Sequence, residues 1–317
     1  MDRDFSRNPE LPVLVIGASG VDIIGKVRGE LQSRTSSPAN IRISFGGVAR
    51  NVAENLARLG QPVNLISVVG QDDSGNQLLD NAVSAGVNVD AVLRSPDYPT
   101  GTYLAVVNSE GEMLHALDDM RAIGGLTPEI IQARAALFEA ASMVFLDANL
   151  PKDTLRRVMS IARRHHLPVC ADPTSQALAG KLRQYLPRLR VIVPNYREAE
   201  VLCERHISPG SRREALAAAK CLVAQGVDIA IIGMAAFGVC YATTHTSGHV
   251  PAMRTSVIDP TGVGDALTAT VIFGLLNDIP IDDAIRLGVT AASLTLRHRG
   301  SVLPDLSLEK LYDQLVI

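Results

Sequence analysis

The chain of 317 residues has few cysteines, and none of them stands in a pattern that would bind a metal or build a disulfide framework. The four are scattered singly, at Cys170, Cys203, Cys221 and Cys240. Zinc sites and disulfide scaffolds need paired or regularly spaced cysteines, so the sequence argues against both. Unpaired cysteines are typical of a reducing compartment, and we therefore expect the protein in the cytoplasm.

Long apolar runs and an excess of basic charge are also missing. No hydrophobic stretch reaches the ~18 residues of a membrane span, and the polar first ten residues lack the apolar core of a signal peptide. The formal net charge is −3, so the chain has no basic footprint for nucleic acid. Hydrophobic residues make up 47% of the chain and charged residues 20%, which is enough for a large buried core. We expect neither a membrane nor a nucleic-acid partner.

Short apolar runs alternate with helical patterns along the chain. Leu11–Gly17 and Val63–Val69 have the composition of buried strands, and Val48–Leu59 has its apolar residues at helical spacing. Further strands are predicted at 143–146, 169–171, 191–193 and 229–232, with helices such as 152–165 and 212–225 between them. Continuous apolar strands separated by helices predict an α/β fold whose parallel sheet is covered by helices on both faces.

Two segments break this rhythm, at about 21–45 and 98–120, where alternating apolar residues and turn residues predominate. In the second segment, Ser109-Glu110-Gly111 predicts a hairpin turn. The two excursions are either ordinary edge strands or a small separate sheet that serves as a lid and excludes water from an active site. No repeat or low-complexity linker divides the chain, so residues 1–317 are predicted to form a single domain.

The most informative segment for chemistry is Val257–Asp265, VIDPTGVGD, which leads into a helical run. Gly262 and Gly264 flank Val263 and free the backbone, so that successive N–H groups can point into one space. A helix predicted to begin at about Asp265 adds positive potential there, which suits a phosphate. An ionised Asp265 could accept a proton from an attacking alcohol, although the same residue could serve only as a helix cap.

Three other segments contain candidate ligand-binding residues. Asp22, in GASGVD after the first strand, could accept two hydrogen bonds from a vicinal diol. In FGGVARN, Gly46-Gly47 permits close approach of the backbone to a ligand, and Asn51 offers a donor and an acceptor. In VIVPNYRE, Asn195 and Glu198 are three residues apart at a predicted helix start and could hold hydrated Mg²⁺ near phosphate.

Together these segments resemble the ribokinase-like (PfkB-type) carbohydrate kinases. The motifs GG-x-x-x-N, PN-x-x-E and D-x-T-G-x-GD occur in that family's order and spacing, and the resemblance extends from about Leu11 to Pro304. It implies a parallel-sheet α/β sandwich with a small β-sheet lid. It also implies an enzyme that uses ATP and Mg²⁺ to phosphorylate a sugar or nucleoside, and it is compatible with a homodimer formed through the lid.

The resemblance implies roles for individual residues. Asp265 would be the general base, and Gly262, Val263 and Gly264 would supply the amides of an anion hole. The residues implied for substrate binding are Asp22, Gly46, Gly47, Asn51, Asp118 and Asn149. Those implied for ATP and phosphate are Asn195, Glu198, Ala235 and Gly238, with Glu198 acting on Mg²⁺ indirectly. In some members, positions matching Asp259, Thr261 and the backbone around Arg297–Ser301 bind a monovalent cation such as K⁺.

Within the family, the lid stretch Gly111–Met120 and the triplet Asp147-Ala148-Asn149 resemble the pseudouridine kinases. This implies the 5′-hydroxyl of pseudouridine as acceptor, with Asp118, Asp119 or Asn149 accepting from the extra ring N–H of that base. Ribose, another nucleoside or a fructose-like sugar is the alternative acceptor. An alternative of another class is a regulator that binds a sugar or nucleoside on a kinase fold without catalysis.

The chain departs from the family pattern on the nucleotide side. Members often have Thr-x-Gly-x-x-Gly with a basic residue before the last glycine, whereas this chain has GMAAFG over Gly233–Gly238. A hydroxyl, a glycine and a cation are therefore missing, which implies weaker ATP binding or another donor. Gly20 stands where many members have asparagine, so one sugar contact is also missing.

Overall fold

The computed structural model describes residues 10–110 and 113–315. Its strands are β1 (Val13–Ile16), β2 (Gly20–Val27), β3 (Ala39–Gly46), β4 (Val63–Ile66), β5 (Val68–Gly70), β6 (Leu93–Ser95), β7 (Gly101–Val107), β8 (Met113–Asp119), β9 (Met143–Asp147), β10 (Val169–Asp172), β11 (Val191–Ile192), β12 (Ile229–Gly233), β13 (Val239–Thr243) and β14 (Ser247–Val250). Its α-helices are α1 (Val48–Arg58), α2 (Asp73–Ser84), α3 (Pro128–Ala133), α4 (Ala135–Glu139), α5 (Lys152–Arg164), α6 (Gln176–Ala179), α7 (Tyr196–Cys203), α8 (Arg212–Ala224), α9 (Val263–Leu276), α10 (Ile281–Leu296) and α11 (Leu308–Gln314).

The main sheet has eight strands in the order β14-β13-β12-β11-β10-β9-β1-β4. Six of these strands run parallel, namely β4, β1, β9, β10, β11 and β12. Strands β13 and β14 add an antiparallel edge. Side chains of β1 alternate between two cores, because Leu14 and Ile16 pack on one face and Val13 and Val15 on the other. Both faces are thus covered, which explains the continuous apolar strands. The predicted α/β fold is confirmed.

Helices α1, α9 and α10 cover the face of the sheet that carries Val13 and Val15. Close packing of α9 on α10 depends on Gly288, where a Cβ would lie 2.8 Å from the Leu267 side chain. Helix α9 is buried along nearly its whole length from Asp265 onward, so its first turn is held firmly in place. That helix begins at Val263, two residues before the predicted start. Within the described residues, no helix combines the length and apolar content that crossing a bilayer requires.

A second sheet of four strands stands beside the main one, in the order β3-β2-β7-β8, and we call it the lid sheet. Its strands lie at 20–46 and 101–119, close to the two excursions predicted from the sequence. Ser109 and Glu110 lie in the turn that joins β7 to β8, whereas Gly111 is outside the described residues. Because neighbouring strands are in register, each row of side chains across the sheet shares one face.

One predicted strand is divided in the structure. Val63–Val69 separates into β4 and β5 at Ser67, whose hydroxyl donates to the carbonyl of Gly17 at 2.6 Å. Strand β5 then leaves the main sheet and pairs with β6. An apolar run does not reveal such a break, because the side chains on both sides of it remain buried.

Candidate active site

The candidate residues gather at the carboxyl ends of the parallel strands. Asp147 ends β9, Asp172 ends β10, and Asn195 comes three residues after the end of β11. In open α/β sheets this edge forms the crevice in which ligands bind. Asp265, in the first turn of α9, lies close enough to Asp147 and Asp172 for the three carboxylates to interact electrostatically.

The start of α9 requires glycine at position 262. Gly262 caps the helix with φ 75°, and a Cβ there would lie 1.9 Å from the carbonyl oxygen of Ser301. The amides of the first helical turn, from Val263, Gly264 and Asp265, have no helical acceptor by geometry. They are therefore available to an anion. The sequence predicts this role for the amides of Gly262, Val263 and Gly264, and Val263 is compatible with it because a valine keeps its N–H.

Asp265 is buried and bonded to a residue from α1. Its Oδ2 accepts a hydrogen bond from Asn51 Nδ2 at 2.7 Å. The amide oxygen of Asn51 accepts from the guanidinium of Arg50 and from Ser301 Oγ, the latter at 2.9 Å. These two donors determine the orientation of the amide, so that its NH₂ group faces Asp265. One hydrogen of that group remains for a ligand oxygen.

Burial controls the protonation of the site. It raises the pKa of Asp265 to about 7, while the hydrogen bond from Asn51 and the charge of Arg50 act in the opposite direction. Burial likewise raises the pKa of Asp22 to about 6, again opposed by Arg50. A carboxyl group with a pKa near neutrality can both accept and return a proton, which is the property needed in a general base.

Asp22 lies in the lid sheet, as the third residue of β2, and not at the end of a main-sheet strand as its position after β1 suggested. It is 6% exposed. The Asp22 side chain fills a space that is open only because residue 46 is glycine, since a Cβ at Gly46 would be 2.3 Å from the Asp22 carboxylate. Gly47, with φ 91°, precedes α1 and lies against the carbonyl oxygen of Ala18. Both glycines thus permit close packing within the chain, and the contact with a ligand that the sequence predicts for them stays a prediction.

One row of the lid sheet carries Asp22 and, on neighbouring strands in register, Ser44, Tyr103 and Asp118. These side chains share a face. Burial raises the pKa of the Tyr103 hydroxyl most, and the charges of Asp22 and Asp118 raise it further. Asp119 points to the other face, where Arg121 binds it through bonds of 2.6 and 2.9 Å. The structure therefore separates the two aspartates that sequence reasoning treated together, and only Asp118 lies on the Asp22 face.

Asp147 has a role that sequence reasoning missed. Its Oδ2 accepts from the amides of Ala18 at 2.8 Å and Ala49 at 3.1 Å, and its Oδ1 accepts from the amide of Asn149 at 2.9 Å. This fully buried carboxylate therefore holds together the loop after β1, the start of α1 and the loop after β9. A carboxylate directly after a buried strand was the available signal.

Asn195 and Glu198 form a capping box at the start of α7. Asn195 Oδ1 accepts from the amide of Glu198 at 3.1 Å, and Glu198 Oε2 accepts from the amide of Asn195 at 2.9 Å. Burial raises the pKa of Glu198 to about 7. Burial and the charges of Glu198 and Asp265 raise the pKa of Asp172, a neighbour that sequence reasoning missed. The carboxyl groups of Asp172 and Glu198 thus lie beside the first turn of α9, where a bound cation would favour their ionised forms.

Asp259 and Thr261 lie directly before the first turn of α9. Thr261 donates to Asp259 Oδ1 from its amide at 3.1 Å and from its hydroxyl at 2.8 Å. The other carboxylate oxygen accepts from the amide of Gly300 at 2.9 Å and pairs with Arg42 of the lid at 2.6 Å. The structure therefore brings Asp259, Thr261 and the 297–301 segment together, with an arginine in addition.

The loop from Gly233 to Gly238 returns from β12 to β13 beside Asn195, which pairs with Gly233 in an isolated bridge. Gly238 must be glycine, because a Cβ there would lie 2.2 Å from the carbonyl oxygen of Val250. Ala235 adopts φ 50°, a conformation that favours glycine. The missing glycine predicted from the family pattern thus corresponds to a strained backbone position.

This fold and this site match a known family. The model of the pfkB family carbohydrate kinases matches residues 11–307, and the chain belongs to that family. It is accordingly a sugar or nucleoside kinase, an ATP-dependent phosphotransferase with an alcohol acceptor. The resemblance seen in the sequence is confirmed.

Individual relatives cover almost the whole chain. A pseudouridine kinase of Escherichia coli (strain K12) is 31% identical over 297 residues, which span 93% of this chain and 94% of the relative. A guanosine-inosine kinase of Exiguobacterium acetylicum is 29% identical over 297 residues, spanning 93% and 97%. The structure of Arabidopsis thaliana ribokinase complexed with ribose and ATP has a TM-score of 0.82 at 20% identity and covers 97% of this chain and 99% of its own. The ribokinase-like sandwich is thereby confirmed.

Proposed function

We propose that the chain transfers the γ-phosphate of ATP to the 5′-hydroxyl of pseudouridine, with Asp265 as the general base. The observation that carries the proposal is the position of Asp265, buried in the first turn of α9 and oriented by Asn51 at 2.7 Å. A regulator without catalysis would need neither this carboxylate nor the glycines on both sides of Val263. The four cysteines, all without a disulfide bond, support a cytoplasmic location.

The chemistry follows from the positions of these groups. Asp265 accepts the proton of the attacking hydroxyl, and the amides of Gly262, Val263 and Gly264 at the start of α9 stabilise the negative charge on the transferred phosphoryl group. Asp22 binds two ribose hydroxyls from the lid side, and Asn51 offers its remaining amide hydrogen to the same sugar. Asp147 holds the surrounding loops in place. A lid strand over the acceptor keeps water from competing with it.

Magnesium suits the neighbouring carboxyl groups of Asp172 and Glu198, because a cation favours their ionised forms. Hard divalent cations prefer oxygen ligands, and Mg²⁺ usually retains water and binds mainly to the nucleotide phosphates. In the described part of the chain, no group of three or more His, Cys, Asp or Glu is arranged to hold a metal directly. Glu198, Asp172 and the amide of Asn195 would therefore act on hydrated Mg²⁺, which supplies charge neutralisation at the phosphates.

Restoring the missing features of the 233–238 loop should strengthen ATP binding. Ala235→Gly removes a backbone strain of roughly 1–2 kcal/mol. Phe237→Lys places a cation at an exposed position of the same loop. Together they should lower the apparent KM for ATP by about threefold or more, the effect of one exposed ion pair. Initial rates at varied ATP measure this, with each single variant as control. An unchanged KM would mean that the phosphates are held elsewhere.

The lid row suits a nucleoside better than a free sugar. Tyr103 offers an aromatic surface on the same face as Asp22, and Asp118 offers an acceptor on the adjacent strand. Pseudouridine carries a ring N–H that uridine lacks, and Asp118 could accept from it. We therefore propose that Tyr103 contacts the base while Asp118 recognises that N–H. The similarity to a guanosine-inosine kinase makes another nucleoside the second candidate.

We predict that kcat/KM for pseudouridine exceeds that for uridine by about 10²-fold or more. Asp118 is exposed, and a bound base would cover it, so an acceptor covered without its donor would be costly. Ribose, fructose and inosine complete the panel, with ADP release as the readout. Asp118→Ala should reduce this preference, whereas the matched variant Asp119→Ala should not, since Asp119 faces away and binds Arg121. Equal use of uridine, inosine or a free sugar would contradict the assignment of the acceptor.

The outer face of the lid sheet suits a second copy of the chain. Ile43, Ile23, Leu104 and Leu117 form one aliphatic row across all four strands, and Ile43 and Leu117 are 66% and 69% exposed. We propose a homodimer through this face, since such patches mark protein contacts. Leu117→Lys should give a monomer in sedimentation, whereas Val83→Lys, at an equally apolar exposed site on α2, should not. A wild-type monomer at micromolar concentration would refute the dimer.

A further inference from the structure

The carboxylate of Asp259 has partners on both oxygens inside the chain. Thr261 donates twice to Oδ1, and Gly300 and Arg42 bind Oδ2 at 2.9 and 2.6 Å. The side chain is only 2% exposed, so little water can share in its solvation. A buried charge is costly unless it is paired or well hydrogen-bonded, and here the charged partner is the guanidinium of a lid residue.

These groups do not fit a monovalent cation held by Asp259. The hydroxyl hydrogen of Thr261 points to Asp259, and Gly300 presents an N–H to the carboxylate where a cation would need an oxygen. Arg42 already places one positive charge within hydrogen-bonding distance of Oδ2. A second positive charge at the same buried carboxylate would be repelled, because screening by water is weak there.

The position of Asp259 connects it to the anion hole. Thr261 immediately precedes Gly262, and Gly300 immediately precedes Ser301, whose carbonyl oxygen is the atom that excludes a side chain at position 262. Asp259 therefore joins the two segments that shape the first turn of α9. An uncompensated charge on this carboxylate would disturb that junction and the amides that it supports.

We propose that the Arg42 guanidinium takes the place of the monovalent cation at Asp259, so that turnover does not depend on K⁺. The inference rests on the proposed function, because it concerns the anion hole of that site. Arg42 belongs to β3, on the same face of the lid sheet as Asp22. The lid sheet thus supplies both the arginine that neutralises Asp259 beside the anion hole and the aspartate proposed to bind the acceptor.

The test compares the wild type with Arg42→Met in KCl and in choline chloride at equal ionic strength. The kcat/KM of the wild type should differ by less than about twofold between the two salts, as expected from non-specific screening alone. In choline chloride, Arg42→Met should lose about tenfold or more in kcat/KM, the effect of one charge-assisted hydrogen bond, and KCl should restore most of it. Arg28→Met, which removes a lid arginine bound to Asn40, is the matched control and should behave as the wild type.

A second readout does not require turnover. KCl should raise the unfolding temperature of Arg42→Met above its value in choline chloride, and should not do so for the wild type or Arg28→Met. The double variant Arg42→Met/Asp259→Asn has no buried charge left unpaired, so it should fold equally well in both salts. This variant keeps the test decisive if Arg42→Met is too unstable to assay.

Three results would overturn the inference: strong activation of the wild type by K⁺, a folded Arg42→Met that is fully active in choline chloride, or a loss of activity that K⁺ does not restore. If the wild type phosphorylates no sugar or nucleoside at all, the proposed function fails. The unfolding measurements would still decide the inference about Arg42 in that case.

Discussion

Replacing Asp265 by asparagine should reduce kcat by about 10²–10⁴-fold, the usual loss when a general base is removed. Binding of acceptor and of ATP should remain within a few-fold of the wild type, because the amide keeps the size of the side chain and can still accept from Asn51. Single-turnover phosphorylation measures the first quantity, and calorimetric titration of each ligand measures the second. Near-normal turnover in this variant would remove Asp265 from the mechanism.

The same substitution should not destabilise the fold. Burial raises the pKa of Asp265 to about 7, so the folded chain binds this proton more tightly than the unfolded chain does. The contribution of Asp265 to the free energy of unfolding therefore declines as pH rises from about 4 to about 7. Asp265→Asn carries no such charge, and it should unfold at or above the wild-type temperature at pH 8. A markedly lower unfolding temperature would mean that lost activity reports misfolding.

The pH dependence of the wild type follows from the same burial. A base works only when ionised, so kcat/KM should rise with pH until Asp265 has lost its proton, at about pH 7 in the free enzyme. Below about pH 6, Asp22 is protonated as well and can no longer accept two hydrogen bonds from a diol, so the decline should become steeper. A profile that stays flat down to pH 5 would contradict both assignments.

Replacing Asp22 by alanine should weaken acceptor binding by well over tenfold. Two hydrogen bonds from a diol to an ionised carboxylate would be lost, and each contributes about 1.5–3 kcal/mol. ATP binding should barely change, because Asp22 lies on the lid sheet and not in the 233–238 loop proposed to bind ATP. Separate calorimetric titrations of acceptor and ATP distinguish the two effects.

Asp22→Asn is the matched variant for this prediction. It preserves the side-chain volume against Gly46 but removes the charge, so acceptor affinity should fall between the wild type and Asp22→Ala. If both variants bind acceptor and ATP equally poorly, the substitution has disturbed the lid sheet. If both bind the acceptor as tightly as the wild type, Asp22 does not bind the diol.

Periodicity in the sequence located the lid strands but did not say which side chains share a face. Asp118 and Asp119 are equivalent as acceptors in a sequence, yet neighbouring residues in a strand point to opposite faces. The register of β7 with β8 decided between them, since it aligned Asp118 with Tyr103 and Asp22 and left Asp119 to Arg121. Register depends on pairing between distant segments, which local patterns do not contain.

The sequence by itself determined the alternation of strands and helices, the glycines before α9 and the candidate base, because these depend on local backbone preferences and short motifs. Only the tertiary structure showed that Asn51 donates a hydrogen bond to Asp265, 214 positions away in the sequence, and that Arg42 forms an ion pair with Asp259. It also revealed Asp147 and Asp172, whose positions at strand ends become meaningful only when parallel strands bring those ends together. Contacts of this kind arise from packing of the whole chain, since burial and charge compensation depend on neighbours that are remote in sequence.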